Sequence, residues 1–228
     1  MMDFQYDFDE KGFAIIPAVL SGEEIVKLAL GFAFADVRRG KAGVRHALKH
    51  SSVARVAYDE RLLCIARRVL GSGAVPFRAT LFDKSPNSNW LVVWHQDTAL
   101  PLRERNETLG WGPWSVKDGV IYAHAPATAL AQVLALRIHL DDSTEDNGPL
   151  RVLPRTHKMG VLNDDAIHKL AEEVTSFDCL VPKGGILAMR PLIVHASSKS
   201  RSEMARRVLH IEFAASPVTD DGLELAVA

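Results

Sequence analysis

Two histidines and one aspartate in this chain have the types and spacing of metal ligands. Val92-Val93-Trp94-His95-Gln96-Asp97-Thr98 reads as a β-strand. Alternation along a strand sends His95 and Asp97 to one face and Trp94 and Gln96 to the other. An imidazole and a carboxylate so placed can reach adjacent positions of one ion. One more histidine would complete a 2-His-1-carboxylate facial triad, which leaves the opposite face of Fe(II) open for a co-substrate and O2. A lone His-x-Asp is commonplace in turns and on surfaces, so the downstream sequence decides. After Gly184-Gly185 an apolar run, Ile-Leu-Ala-Met-Arg-Pro-Leu-Ile-Val, ends in His195, where the third ligand is expected. Eleven residues later Arg206 opens the strand Arg-Arg-Val-Leu-His-Ile-Glu-Phe-Ala. Its guanidinium suits a bidentate pair with a carboxylate held beside the metal. Arg206 shares a strand face with Val208, His210 and Glu212, a mixed set that suits a barrel interior. Arg207 shares the other face with Leu209, Ile211 and Phe213, and remains the alternative.

Several elements are needed to bring these residues together. Gly12 to Pro17 reads as a short strand, and Ser21 with Glu24 forms a capping box that opens a helix to about Val37. Arg38 to Lys49 is basic and contains glycine, the pattern of a solvated loop, although Arg45 and His46 could face a cavity. A second helix is predicted from about Asp59 to Leu70, stopped by Gly71. From Ala74 onward the chain turns to short β-branched and apolar runs, and no further helix is expected. The strands read are Val75 to Lys84, Trp90 to Thr98, Ala131 to Asp141, Leu150 to Pro154, Cys179 to Val181, Ile186 to Met189, Leu192 to Ala196 and Arg206 to Ala214. Asn147-Gly148-Pro149 and Pro182-Lys183-Gly184-Gly185 are turns between them. The expected class is mainly β with flanking N-terminal helices, a jelly roll in one domain over residues 1–228. Within it, residues 1–73 are mostly helical support, 74–215 the core and 216–228 a tail.

Composition narrows the partners. With 228 residues, 47% of them hydrophobic, the chain can bury a sizeable core. A net charge of −1 and the absence of a basic run interleaved with aromatics argue against nucleic acid or a membrane surface and for a small-molecule substrate. Cys64 and Cys179 fit neither metal-ligand spacing nor a disulfide framework, and read as buried thiols of a reducing compartment. With an acidic N-terminus and no long apolar run, the expected location is cytoplasmic. Oligomeric state is left open.

The pieces Trp94-His95-Gln96-Asp97, Leu140-Asp141-Asp142 leading to Asn147-Gly148-Pro149-Leu150-Arg151-Val152-Leu153-Pro154-Arg155-Thr156-His157-Lys158, His195-Ala196-Ser197 and Arg206 stand together in an order that resembles the phytanoyl-CoA dioxygenase family of Fe(II)/2-oxoglutarate-dependent oxygenases. The resemblance implies a double-stranded β-helix, a cupin-like jelly-roll barrel, with His95, Asp97 and His195 on iron. It implies Arg206, helped by the Ser197 hydroxyl, on the distal carboxylate of 2-oxoglutarate, with O2 as the other co-substrate. Gln96 and Arg137 are added as cosubstrate contacts, Arg137 because it shares with His139 one face of the Ala131 to Asp141 strand. His157 resembles a structural corner of the family more than a ligand. The implied reaction is hydroxylation of an unactivated C–H bond with release of succinate and CO2. Halogenating relatives replace the carboxylate ligand by a small residue, so Asp97 implies oxygenation. The competing classes are a zinc hydrolase or isomerase on the same scaffold and a non-catalytic binding jelly roll.

Substrate contacts are expected in the long connection Ala99 to Leu130, read as a lid because unstructured loops of this length in compact domains are usually functional or disordered. Trp111 and Trp114 offer large amphipathic surfaces there, and Lys117, with Arg103 or Arg105, could meet an anionic group. The plainer reading has both tryptophans capping the core. Lys84 and Asn89 are further cavity candidates, although a lysine before Ser-Pro-Asn-Ser also suits a solvated turn.

Overall fold

The computed structural model describes residues 4–33 and 43–228. Helix α1 (Phe4–Lys11) leads through a left-handed Gly12 into β1 (Phe13–Ile16), and α2 spans Gly22–Ala33. The capping box at α2 forms reciprocally: the Ser21 amide donates to Glu24 Oε2 at 2.7 Å and the Glu24 amide to Ser21 Oγ at 3.3 Å. The expected continuation of this helix to Val37, and most of the basic loop after it, lie outside the described residues. The chain resumes with β2 (Gly43–Val44), α3 (Ser51–Ala57) and α4 (Glu60–Leu70), the last capped by Asp59 and ended at Gly71.

Then follow β3 (Val75–Lys84), β4 (Val92–His95), β5 (Ala99–Leu102), β6 (Trp114–Lys117), β7 (Val120–His124), α5 (Ala127–Ala131), β8 (Val133–His139) and β9 (Leu150–Val152). The chain ends with α6 (Asp164–Glu173), β10 (Phe177–Cys179), β11 (Ile186–Met189), β12 (His195–Ser197) and β13 (Arg206–Ala214). The strands hydrogen-bond as a six-stranded sheet, β1-β11-β8-β13-β3-β2, a four-stranded sheet, β10-β9-β12-β4, and a three-stranded sheet, β5-β7-β6.

The six-stranded sheet has two different faces. Its outer face (Ala79, Leu81, Leu134, Leu136, Ile138, Leu209, Ile211, Phe213) packs against Ile25, Leu28, Leu62, Leu63 and Ala66 of the helices. The inner face meets the four-stranded sheet through Ala135, Leu187 and Met189 against Leu150, Val152 and Cys179. On β3, β8 and β13 most of the other inward positions are polar: Arg78, Lys84, Arg137, Arg206, His210 and Glu212 pair across the ladders, while His139 lies opposite Val208, which with Phe82 is apolar. Apolar residues close the back of the jelly roll, and charged ones line its middle.

The structure departs from two expectations, on later helices and on Cys64, and adds detail to two more. Helices do not end at Ala74, since α5 and α6 follow; α6 is capped by Asn163, whose side chain accepts from the Ala166 amide. The N-terminal region is more than helical support, because β1 and β2 are the two edges of the main sheet. Residues 216–228 pack: the Ala79 amide donates to the Ala228 carbonyl at 2.8 Å, and Leu223 and Leu225 are buried. Cys64 is exposed; only Cys179 is a buried thiol. No helix among the described residues is long and apolar enough to cross a membrane.

Candidate metal centre

β12 lies between β9 and β4, and the β12–β4 register sets His195 directly opposite His95. β4 ends at His95, earlier than the predicted strand, and Asp97 is held instead by its amide donating to the Pro191 carbonyl at 3.0 Å. Residues 192–194, expected as the start of a strand, belong instead to the turn after Arg190 whose Pro191 supplies this carbonyl. His95, Asp97 and His195 nevertheless converge, their ligand atoms all within 4.8 Å of one another. His95 Nε2 is 3.7 Å from Asp97 Oδ1, and His195 Nε2 is 3.6 Å from Oδ2.

Both imidazoles are oriented the same way. Nδ1 of His95 is 2.8 Å from the Val93 carbonyl, and Nδ1 of His195 is 2.9 Å from that of Ile193. A carbonyl can only accept, so Nδ1 carries the proton and Nε2 presents its lone pair toward Asp97. Burial pushes His195 down to about 4, so this imidazole is neutral at pH 7. Burial works against ionisation of Asp97, but His195 and His95 more than offset it and hold the carboxyl well below its usual range. Burial works against a charge on His95, but Asp97 more than offsets it and raises this imidazole above its ordinary value. Two imidazoles presenting Nε2 and one carboxylate, aimed at one point, are a donor set that fits a divalent first-row metal.

Beside the triad the interior is strongly cationic. Lys84, Arg137 and Arg206 are 1%, 6% and 4% exposed. Among the described residues none of the three has a carboxylate partner. Lys84 Nζ donates to Ser197 Oγ at 2.8 Å and to the Ser198 carbonyl at 2.6 Å. Arg206 Nε donates to the Asn147 carbonyl at 3.2 Å, and its Nη2 lies 3.4 Å from Ser197 Oγ. The Asn-Gly-Pro turn is the cradle for this group: Ser197 donates to the Gly148 carbonyl at 2.9 Å. Gly148 has φ of 66°, and a Cβ there would meet the Ser198 carbonyl at 2.4 Å, so only glycine fits. Arg137 Nη1 lies 3.0 Å from His210 Nδ1. Arg206 Nη1, Arg137 Nε and both nitrogens of His139 are buried without a hydrogen-bond partner. Burial, then Arg206 and Arg137, push Lys84 down to about 7, and burial followed by the same two arginines pushes His139 down to about 3. Unpartnered buried donors are costly. A small dianion would satisfy them.

Arg207 is elsewhere. It pairs bidentately with Asp141 at 2.7 and 2.8 Å, on the face away from the triad. Gln96, assigned to the cosubstrate, is used up on the opposite side of the metal segment, as alternation requires. It donates to the Gly160 and Leu192 carbonyls at 2.9 and 2.7 Å and accepts from the Leu162 amide at 2.8 Å. Asn89 is exposed and tied to the Ser200 backbone at 2.7 and 2.9 Å, which makes it a loop clasp and not a cavity residue. Lys84, placed with the substrate, sits instead with Arg206 and Ser197. His157 meets the Asp9 carbonyl through Nε2 at 3.3 Å, a corner between the N-terminus and the segment after β9.

The Ala99 to Leu130 connection is not an open lid. It is the three-stranded sheet β5-β7-β6 followed by α5, and its strand alternation separates residues that the sequence had grouped. Leu100, Leu102, Ala123 and Trp114 face a cluster with Phe77, Val133 and Leu225. Trp111 is buried in that cluster and its Nε1 donates to Asp221 Oδ2 at 2.8 Å. Both tryptophans therefore cap the core. Trp111→Ala should cost about 3–5 kcal/mol of stability, as for other buried tryptophans, and leave cosubstrate affinity unaltered. Thermal melts alongside cosubstrate titration check this. Tyr122 and Lys117 lie on the other face of the same sheet, with Arg45 at its edge through Asp118 at 3.7 Å.

Sequence reasoning missed Arg78 and Tyr122, and placed Glu212 on the inner face without its partner. Arg78 and Glu212 are paired through Nε–Oε2 and through Nη2–Oε1 at 2.5 Å, and Arg78 Nη1 donates to the Ala99 carbonyl at 2.9 Å. Counting back in twos from Lys84 along β3 reaches Arg78 on the inner face, so periodicity alone carried that signal.

L-proline trans-4-hydroxylase of Streptomyces griseoviridis is 26% identical over 138 residues, 49% of this chain and 51% of that protein. The chain thus matches about half the length of this curated relative. HygX from Streptomyces hygroscopicus with nickel and 2-oxoglutarate bound superposes with a TM-score of 0.70 at 18% identity, covering 96% of this chain and 89% of that one. EctD from S. alaskensis with bound Fe gives 0.70 at 19% identity, with 94% and 76% covered. These two establish the likeness of fold. The Phytanoyl-CoA dioxygenase (PhyH) family profile matches residues 8–208, nearly the whole described chain, and the protein belongs to that family.

Proposed function

We propose that this protein is an Fe(II)- and 2-oxoglutarate-dependent dioxygenase that hydroxylates an unactivated C–H bond of a small organic molecule, releasing succinate and CO2. His95, Asp97 and His195 hold the iron, and Asp97 supplies its one protein anion. Iron so bound contributes the reaction with O2 and a Lewis-acid seat for a keto acid. The protein's own share is placement. Arg206, with Ser197 and Lys84, takes the distal carboxylate of 2-oxoglutarate by charge-assisted hydrogen bonds. Arg137, with its Nε unpartnered, is a second cationic contact in the same interior. Neutral His210 accepts from Arg137 and so fixes the guanidinium. Phe82, 5.2 Å under the Arg137 guanidinium, and Val208 keep water from this end.

The observation that carries the reading is three buried cations with no carboxylate partner among the described residues, next to a triad with its Nε2 atoms exposed to one point. A hydrolase on the same ligands has no use for those cations. A small-molecule substrate is in keeping with a relative named for L-proline hydroxylation and with a structural neighbour, 19% identical with a TM-score of 0.69, that holds hygromycin B. Anaerobic addition of 2-oxoglutarate to the Fe(II) protein should develop a visible charge-transfer band that saturates at one equivalent. A screen of small organic molecules should then reveal substrate-dependent succinate formation. Zinc-supported hydrolysis with no such band would overturn the proposal.

A further inference from the structure

Lys117 is an exposed cation within electrostatic reach of the metal carboxylate, and no carboxylate among the described residues pairs with it. It ends β6, and the two-residue turn Asp118-Gly119, with φ of 49° and 80°, folds β7 back against it in the geometry favoured for tight hairpins. Register sets Lys117 opposite Val120 and Ser115 opposite Tyr122, so Lys117 shares a face with Tyr122 and is turned away from the tryptophan cluster. Its ammonium sits 5.0 Å from the centroid of the Tyr122 ring. The partly buried Arg78 guanidinium lies 5.8 Å from the same ring. Tyr122 is held from behind by its hydroxyl, 3.1 Å from Nε2 of His46, a residue in the left-handed region at φ 54°.

The charges around this ring do not balance. Arg78 is matched by Glu212, and Arg45 by Asp118 at 3.7 Å. Lys117 has no carboxylate partner among the described residues. Burial, then Arg78 and Arg45, push its pKa down, and only Asp97 of the metal triad works the other way. An ammonium seated on an aromatic face, crowded by two guanidiniums and within electrostatic reach of the metal carboxylate is poised for an incoming anion. One unmatched charge suits one carboxylate better than a multiply charged phosphate.

We infer that Lys117, seated on Tyr122, binds the carboxylate of the organic substrate, and that the substrate is therefore a small carboxylic acid. This rests on the dioxygenase reading above. Tyr122 and Arg78 act as positioning residues, holding the ammonium over the metal opening, and Arg45 adds long-range attraction at the rim.

The test uses the whole chain as its anaerobic Fe(II)·2-oxoglutarate complex, with 2-oxoglutarate saturating. It is titrated with a set of small carboxylic acids, each beside its own primary amide, and read as perturbation of the charge-transfer band. Acids should bind more tightly than their amides by about tenfold or more, the worth of a charge-assisted hydrogen bond. Lys117→Met should bring acid and amide close to parity, and raise KM for an acid substrate more than it lowers kcat. Lys117→Arg should keep most of the preference. Acids binding no better than amides throughout the set, a set in which nothing binds included, would overturn the assignment, as would an undiminished preference in Lys117→Met. Absence of the charge-transfer band in the unaltered protein would remove the dioxygenase reading as well. A normal band without acid preference removes the carboxylate alone.

Discussion

Asp97→Ala should give a folded protein that no longer retains one equivalent of Fe(II) and no longer couples 2-oxoglutarate to substrate. Asp97 is the only anion of the triad, and its amide hydrogen bond to Pro191 does not involve the side chain, so the backbone around it keeps its course. Partners one shell out from a metal typically change affinity by about 10–100-fold, so loss of a ligand should exceed about 100-fold. His195→Ala and His95→Ala should do the same, since each imidazole is held for this one purpose by a backbone carbonyl at Nδ1. Metal content after gel filtration, together with a thermal melt, separates loss of the site from loss of the fold. Full metal occupancy and coupled turnover in any of the three would remove that residue from the centre.

What could be read in the chain was whatever follows strand period. β3, β11 and β13 start and stop where alternation and turn residues put them, and the inward set Arg206, Val208, His210 and Glu212 follows from period two on a strand with one apolar face. The triad was legible for a different reason: its chemistry needs specific residue types, and those stand out even though Asp97 lies past the end of its strand. The three-stranded sheet was not seen. Its strands are four, four and five residues long. Pro101 interrupts one of them, and Arg and Glu fill the connection between β5 and β6. Asp118-Gly119 was the signal available, a two-residue turn of the kind that joins antiparallel strands. Recognising it would have placed Lys117 and Trp114 on opposite faces. Lys84 was unreadable for the opposite reason. Its local context is a turn sequence, and its burial comes from Ser197 and Arg206, both more than a hundred residues away.

Arg206→Ala should weaken 2-oxoglutarate binding by about 1.5–3 kcal/mol, roughly 10–150-fold, because a charged hydrogen-bond donor is lost from a buried site. Arg207→Ala should leave that affinity alone, since its guanidinium is spent on Asp141. Lys84→Met should weaken it in a way that depends on pH. In the free protein burial, then Arg206 and Arg137, push Lys84 down to about 7. Below that value the ammonium is already present when the dianion arrives. Above it, the lysine is neutral, and binding in the charged form requires uptake of a proton. Wild-type affinity should therefore fall as pH rises beyond about 7, approaching tenfold per unit if one proton is taken up. Lys84→Met lacks this proton and should be the weaker binder near pH 6, with the two curves drawing together toward about pH 9. Any effect of pH on iron itself is common to both proteins and cancels in the difference of slopes. Arg206→Ala, which keeps Lys84 and removes the cation that disfavours its charge, should shift the bend upward in pH. Charge-transfer titrations at fixed Fe(II) give all three curves. Parallel slopes in wild type and Lys84→Met would show that Lys84 plays no part in holding the cosubstrate.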